Sequence, residues 1–279
     1  GERSTKYQRK DLATKAAPES NGQMVYADSI LEAFEKASVV VTCLPNSDVV
    51  NLVYNDLLSS GLRDFSHLKL WIDATSGNPK MSRELAKKLK ADGVEYVDAA
   101  VSGGPAGARD GILTSMIGGT NEGAAAAHVY LKMFSSNIVH VGPPGSGHAV
   151  KCVNNAIMAT NLWVAGEGIS ALTKFGISPS SALAAINTSS GRSWATQNRL
   201  PNHVVTRGFD YGFSLNLLEK DHRTCMESVI QTTSAYAPML DAMHGHLKNA
   251  QTILDNEYAD HTEIVKIIEQ ESNIEITDD

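Results

Sequence analysis

Five short apolar runs punctuate the first half of the chain: SVVVTCL at 38–44, KLWIDAT at 69–75, VEYVDAAV at 94–101, ILTSMIGG at 112–119 and NIVHVG at 137–142. Each is rich in β-branched and aromatic residues, too short for a typical helix and bounded by turn-forming residues, so each predicts a strand. Helical periodicity fills the gaps. In PKMSRELAKKLKADG, Pro79 suits a first helical turn, Met81, Leu85 and Leu89 fall on one face, and Gly93 supplies the stop. Strands alternating with helices predict an α/β arrangement with a mostly parallel sheet and helices laid on its faces. After Val141 the period-2 signal disappears. Long helical patterns take over just past Gly147 and end with TEIVKIIEQ, followed by a tail expected to fray. The change of pattern divides the chain into residues 1–142, a sheet domain, and 143–279, an all-helical one.

A length of 279 residues suits two such domains, since single cores stop growing near about 250 residues. Composition narrows the partners. No apolar run approaches the ~20 residues of a membrane helix, and a formal net charge of −7 with scattered lysines disfavours nucleic acid. Cys43, Cys152 and Cys225 fit no metal or redox spacing and read as buried free thiols of a reducing compartment. His148, His222 and the pair His244 and His246 show no metal-like grouping with acids and read as surface residues. The sequence shows no secretory or transit leader, which makes the cytoplasm the default expectation.

The chemistry is concentrated where the two patterns meet, in GPPGSGHAVKCVNN at 142–155. A strand, a glycine turn and a helix form the setting of a phosphate loop. A Walker-type loop needs Lys and then Ser or Thr directly after Gly147, where the chain has His148 and Ala149. A dinucleotide fingerprint needs a small residue at Val150 and a following strand that ends in an acid, and neither is present. The alternative is that the glycines admit close backbone approach while the helix presents a polar face. Lys151 and Asn155, four apart, share that face, with Asn154 beside them and Val150, Val153 and Ile157 packed elsewhere. A lysine near a helix N-terminus has its ammonium disfavoured by the dipole, as a lysine base requires, although a solvated lysine satisfies the spacing equally. A second glycine stretch, VDAAVSGGPAGARDG, leaves a strand at Asp98 and places Ser102, Gly103 and Gly104 at the sheet edge where open α/β folds bind ligands. A glycine-rich tight turn would read the same way.

Together these segments resemble the β-hydroxyacid dehydrogenases. The likeness rests on DATSGNP (73–79), DAAVSGGPAGARDG (98–111), GSGHAVKCVNN (145–155), and SSGRSW followed by LLEKD at Lys220 and Asp221, in that order. It implies a Rossmann-type domain, an all-helical substrate and oligomerisation domain, and a cleft between them for nicotinamide cofactor and substrate. By that resemblance Lys151 is the catalytic lysine and Asn155 its substrate-binding neighbour, while Ser102, Gly103 and Gly104 hold the substrate carboxylate. Leu44, Pro45, Ser76 and Lys220 fall at the cofactor. Arg3 and Ser4 correspond to the position that meets a 2′-phosphate, which implies NADP, with NAD also possible. No metal is implied. The activity implied is oxidation of a small β-hydroxy carboxylate to its semialdehyde, or the reverse, by a homodimer or homotetramer.

The chain departs from that family at its start, where the strand, GxGxxG turn and helix that normally hold the pyrophosphate have no counterpart. The expected fold is therefore an N-terminally incomplete Rossmann-type domain. A competing reading follows: a non-catalytic oligomerisation or regulatory module with lost cofactor binding, against which the retained Lys151, Asn155 and Ser102 argue. A third, 6-phosphogluconate dehydrogenase, shares the motifs but needs a longer helical domain. The departure also leaves the compartment open to a mitochondrial location. Arg192 and Trp194 are candidates to reach the cleft from the helical half, although tryptophan is more often core or interface.

Overall fold

The computed structural model describes residues 27–60, 65 and 67–278. Arg3 and Ser4 lie outside the described residues. All five expected strands form: β1 (Val39–Thr42), β2 (Leu70–Asp73), β3 (Glu95–Ser102), β4 (Leu113–Gly118) and β5 (Ser135–Gly142). They join one sheet in chain order, β1 to β5, parallel throughout except for the antiparallel β3–β4 pair. β3 runs through Asp98 to Ser102 rather than ending at Asp98, because Asp98 to Ser102 pair with Gly118 to Thr114. The short α4 (Gly104–Arg109) separates those antiparallel strands.

Alternation along the strands loads both faces of the sheet. Trp71 and Tyr96 point into one cluster with Phe34, Tyr54, Leu57, Leu85 and Leu89, supplied by α1 (Ile30–Lys36), α2 (Ser47–Ser59) and α3 (Pro79–Ala91). Leu70, Ile72, Val97 and Ala99 point to the other face and meet Ala124, Ala127 and Leu131 of α5 (Asn121–Leu131). α3 starts as expected at Pro79, where the Asn78 side chain accepts from Lys80 N at 2.9 Å and Met81 N at 3.3 Å.

The helical half opens with α6 (Ser146–Lys174), a 29-residue helix. It continues with α7 (Pro179–Asn187), a π-helical α8 (Ala195–Val204) and α9 (Leu215–Cys225), which runs on as π-helical turns over Met226–Ile230. α10 (Pro238–Leu254) and α11 (Ile264–Ser272) close it, the latter on the predicted TEIVKIIEQ segment. Pro201 inside α8 has no N–H to donate to the preceding turn, consistent with the widened helix there. Leu162, Ile169, Leu183, Leu200, Leu218, Leu247 and Ile264 form a separate core, each nearly inaccessible.

The tail does not fray. Ile276 is fully buried and donates its N–H to Glu269 at 2.8 Å. Asp278 caps α7 by accepting from Ser180 N at 3.0 Å and the Ser178 hydroxyl at 2.9 Å. A polar residue pattern concealed an anchor made by one isoleucine and one carboxylate. No helix among the described residues is long and apolar enough to cross a membrane.

Candidate active site

The glycine run belongs to the junction of sheet and long helix. A Cβ on Gly147 would lie 2.3 Å from the Met116 carbonyl oxygen and 2.7 Å from that of Asp98, so α6 can rest directly on β3 and β4 only with glycine there. The Asp98 carboxylate then takes the place an anion would occupy at a helix N-terminus. It accepts from Gly145 N at 2.6 Å and His148 N at 2.9 Å. Burial raises the Asp98 pKa, opposed by the nearby His148 and these N–H donors. A phosphate loop is excluded here by a protein carboxylate already seated in it.

One turn further along α6, Lys151 faces a cleft of about 610 Å³ between the sheet and the helices. Ser102, Gly103, Gly104, Ser76, Asn154 and Asn155 share its lining, so residues scattered over more than fifty positions converge. Gly103 (φ 135) and Gly104 (φ 67) occupy conformations that favour glycine, and a Cβ on Gly104 would meet the Tyr211 hydroxyl at 2.4 Å. Lys151 is half-buried and forms no hydrogen bond or ion pair among the described residues. Burial lowers its pKa from the ordinary lysine value; Asp221 opposes that shift and Lys220 adds to it. Val150 and Ile157, expected to pack inside, are 40% and 51% exposed, and Ile157 lines the cleft; only Val153 packs, against the cluster of Cys152, Ala156 and Cys225.

The second lysine is placed quite differently. Lys220 Nζ donates to the Ser76 carbonyl at 2.7 Å, reaches the Pro45 carbonyl at 3.5 Å and pairs with Asp221 at 2.9 Å. Asp221 is a buried hub that also accepts from the Ser76 hydroxyl at 2.9 Å and from Asn155 Nδ2 at 2.6 Å. With Asn78 Nδ2 donating to the Ser228 hydroxyl at 2.9 Å, these bonds latch the sheet to the helices. Leu44 packs against the core cluster of Phe34 and Trp71 and donates its N–H to Thr75 at 3.1 Å; Pro45 is exposed beside it. Below them the Asp73 carboxylate accepts from Thr42 and Tyr96 hydroxyls, each at 2.9 Å, tying the carboxyl ends of β1 and β2 to each other and to the start of β3.

Several lining residues lacked any sequence signal of their own. Tyr211 and Phe213 sit in an irregular stretch before α9, and Arg199 is a lone arginine in a segment whose π-helical winding no periodicity announces. Trp194, 60% exposed, lines the cleft and is not core, whereas Arg192 is exposed and absent from the lining. His148 and His222, expected on the surface, are instead both fully buried, since neighbouring elements cover them. His148 hydrogen-bonds Ser82 at 2.7 Å under α3, and His222 stacks on His244 with ring centroids 5.6 Å apart. Cys43, expected to be buried, is exposed at the cleft while Cys152 and Cys225 are buried; all three are free. Among the described residues no group of three His, Cys, Asp or Glu is placed to hold a metal ion.

Residues 1–142 match the sequence pattern of the NAD binding domain of 6-phosphogluconate dehydrogenase, and residues 145–268 that of the NAD-binding region of NADP-dependent 3-hydroxyisobutyrate dehydrogenase. The chain belongs to the β-hydroxyacid dehydrogenase family. It is 34% identical to the mitochondrial 3-hydroxyisobutyrate dehydrogenase of Mus musculus over 220 residues, 77% of this chain and 64% of that one. It is 32% identical to the 2-(hydroxymethyl)glutarate dehydrogenase of Eubacterium barkeri over 192 residues, 69% of this chain and 64% of that one. The chain thus spans somewhat under two thirds of the length of these relatives. Among solved structures, the 3-hydroxyisobutyrate dehydrogenase of Mycobacterium tuberculosis, determined with L-serine, superposes with a TM-score of 0.77 at 27% identity, covering 87% of this chain and 83% of that one. This member of the β-hydroxyacid dehydrogenases therefore has the family's Rossmann-like sheet, its helical second half and its NAD(P)-type domain pair.

Proposed function

We propose that this chain carries the active site of an NAD(P)-dependent β-hydroxyacid dehydrogenase, interconverting a small β-hydroxy carboxylate and its semialdehyde. The observation that carries the reading is the amine of Lys151, without a partner among the described residues and half-buried in the cleft beside Asn155 and Ser102 to Gly104. Names of relatives supply the substrate class: 3-hydroxyisobutyrate dehydrogenase and 2-(hydroxymethyl)glutarate dehydrogenase both denote acids bearing a β-hydroxyl. L-serine, present with the mycobacterial structure, is another.

The carboxyl ends of β1 and β2 fit the nicotinamide half of the cofactor. Cys43, Ala74 and Ser76 make a wall of small side chains on the cleft, and the Ser76 backbone is pinned by Lys220. Ser76 and its neighbours Leu44 and Pro45 would hold that half, with Lys220 supporting them, while Arg3 and Ser4 would favour NADP. When bound, the nicotinamide exchanges hydride with the carbon that carries the hydroxyl.

Ser102, Gly103 and Gly104 would grip the substrate carboxylate and so set the hydroxyl toward α6. Neutral Lys151 takes the hydroxyl proton during oxidation, and its ammonium returns it during reduction. Asn155 does not titrate. Its amide is anchored on Asp221, which fixes the face of α6 from which Lys151 projects. The same reading assigns residues 1–142 to dinucleotide binding and 143–279 to substrate binding and assembly as a homodimer or homotetramer. The expected compartment is the cytoplasm, or mitochondria as in the name of the mouse relative.

Lys151→Ala tests the reading: turnover should fall ~10³-fold, within the range for a general acid–base group, while melting temperature and NADPH affinity stay near those of the parent. Near-normal turnover in that variant rejects the assignment. Fluorescence titration with NADPH separates enzyme from non-catalytic module, since saturable binding is expected only of the enzyme.

A further inference from the structure

A buried cation stands in the cleft with no acid among the described residues paired to it. Arg199 is 5% exposed and lines the cleft from α8. Its Nε donates to His261 Nε2 at 3.1 Å, Nη1 donates to Asn198 Oδ1, and its guanidinium carbon lies 3.3 Å from the centre of the Tyr211 ring. None of the ion pairs among the described residues includes it.

Asp260, whose charge acts on Arg199, pairs with His261 at 3.2 Å rather than with the guanidinium. Its oxygens are taken by Thr262 N at 3.0 Å, the Thr262 hydroxyl at 2.7 Å, Gly212 N at 2.8 Å and Phe213 N at 3.2 Å. A guanidinium withdrawn from water without a directly paired acid is costly, and its planar fork is the group best shaped to take a carboxylate.

The position of Arg199 separates it from the first acid site. Tyr211 spans the two: its hydroxyl abuts Gly104, where a Cβ would come within 2.4 Å, and its ring face lies under the guanidinium. A carboxylate held at Ser102 to Gly104 and one held by Arg199 are therefore different groups, set apart by a phenol ring. We propose that Arg199 is a specificity residue that selects β-hydroxy dicarboxylates, its guanidinium taking the acid distal to the hydroxyl. The proposal rests on the dehydrogenase reading and adds to it the charge of the substrate's far end.

The test compares kcat/KM for 2-(hydroxymethyl)glutarate, its distal monoamide and 3-hydroxyisobutyrate, with saturating NADP⁺, on the parent, Arg199→Gln and Arg199→Lys. The parent should prefer the diacid to its amide by about tenfold or more, the worth of a charge-assisted hydrogen bond. Arg199→Gln should lower the diacid to the level of the amide and leave the amide and 3-hydroxyisobutyrate unchanged, and Arg199→Lys should keep part of the preference. The parent ratio stands even where a variant folds poorly, which a thermal melt reports. Equal parent rates on diacid and amide overturn the proposal, as does an Arg199→Gln variant of parental melting temperature that loses all three substrates alike. Turnover of 3-hydroxyisobutyrate alone overturns the selectivity and spares the dehydrogenase reading; turnover of none of the three removes both.

Discussion

Two lysines bear on the same cleft, Lys151 lining it from α6 and Lys220 of α9 held against its Ser76 and Asp221 wall, and their surroundings set them apart. Lys220 has a carboxylate at 2.9 Å and a carbonyl at 2.7 Å, so its charge is spent on joining two halves of the molecule. Lys151 has neither, and burial bears on its ammonium without a direct partner to offset it. Charge count alone would treat them as equals. On the proposed reading, what would set a reactive amine apart from a structural one is the location of one carboxylate, Asp221, which lies in contact with Lys220 and acts on Lys151 only from a distance.

The contrast can be broken most sharply by making the same substitution at both sites. Lys151→Met should lower kcat by ~10³-fold, whereas Lys220→Met should cost ~10-fold or less in kcat and act mainly through cofactor KM and melting temperature. Comparable losses of kcat at the two positions would erase the distinction. Next in size is the packing that delivers Lys151 to the cleft. Gly147→Ala drives a Cβ against three backbone atoms of β3 and β4, within 2.9 Å of each, and should destabilise by about 3 kcal/mol in denaturant melts. A loss under about 0.5 kcal/mol, as for a neutral surface change, would mean that α6 does not need that close approach.

The reach of the sequence can be judged from the same residues. The strands and the start of α3 were legible because period-2 and period-3.6 patterns follow from which side of an element is buried. The glycine run predicted a close approach, and the structure identifies its occupant as the Asp98 carboxylate, which no local pattern reveals. The role of Asp221 was hidden for a similar reason: its partners Ser76 and Asn155 lie 145 and 66 positions away, and contacts at that separation leave no period in a single chain. The burial of His148 and His222 is not legible, because nothing adjacent to a histidine in sequence shows whether another element covers it. Tyr211 and Arg199 carry no sequence signal because they stand in irregular and π-helical backbone, where side-chain direction follows no simple repeat.

A pH-dependent effect distinguishes the buried histidine from the half-buried lysine. Burial, aided by His244, lowers the His222 pKa from 6.5 to about 4, and neither ring nitrogen has a hydrogen-bond partner among the described residues. The unfolded chain binds this proton near pH 6.5 and the folded one only near pH 4. Stability should therefore fall as pH drops through that interval, by up to about 3 kcal/mol from this group. Chemical melts from pH 7 to pH 4 on the parent and His222→Phe check it, because the variant should lose that part of the slope.

The most direct test of the central claim is the pH dependence of kcat/KM for oxidation, measured on the parent, Asp221→Asn and Lys220→Met. A neutral Lys151 base predicts a rate that rises with pH through a midpoint below the ordinary lysine value of 10.5. The midpoint should move lower in Asp221→Asn, which removes the charge favouring the ammonium, and higher in Lys220→Met, which removes the one opposing it. A midpoint at or above the ordinary value, or one that neither substitution moves, would contradict the account.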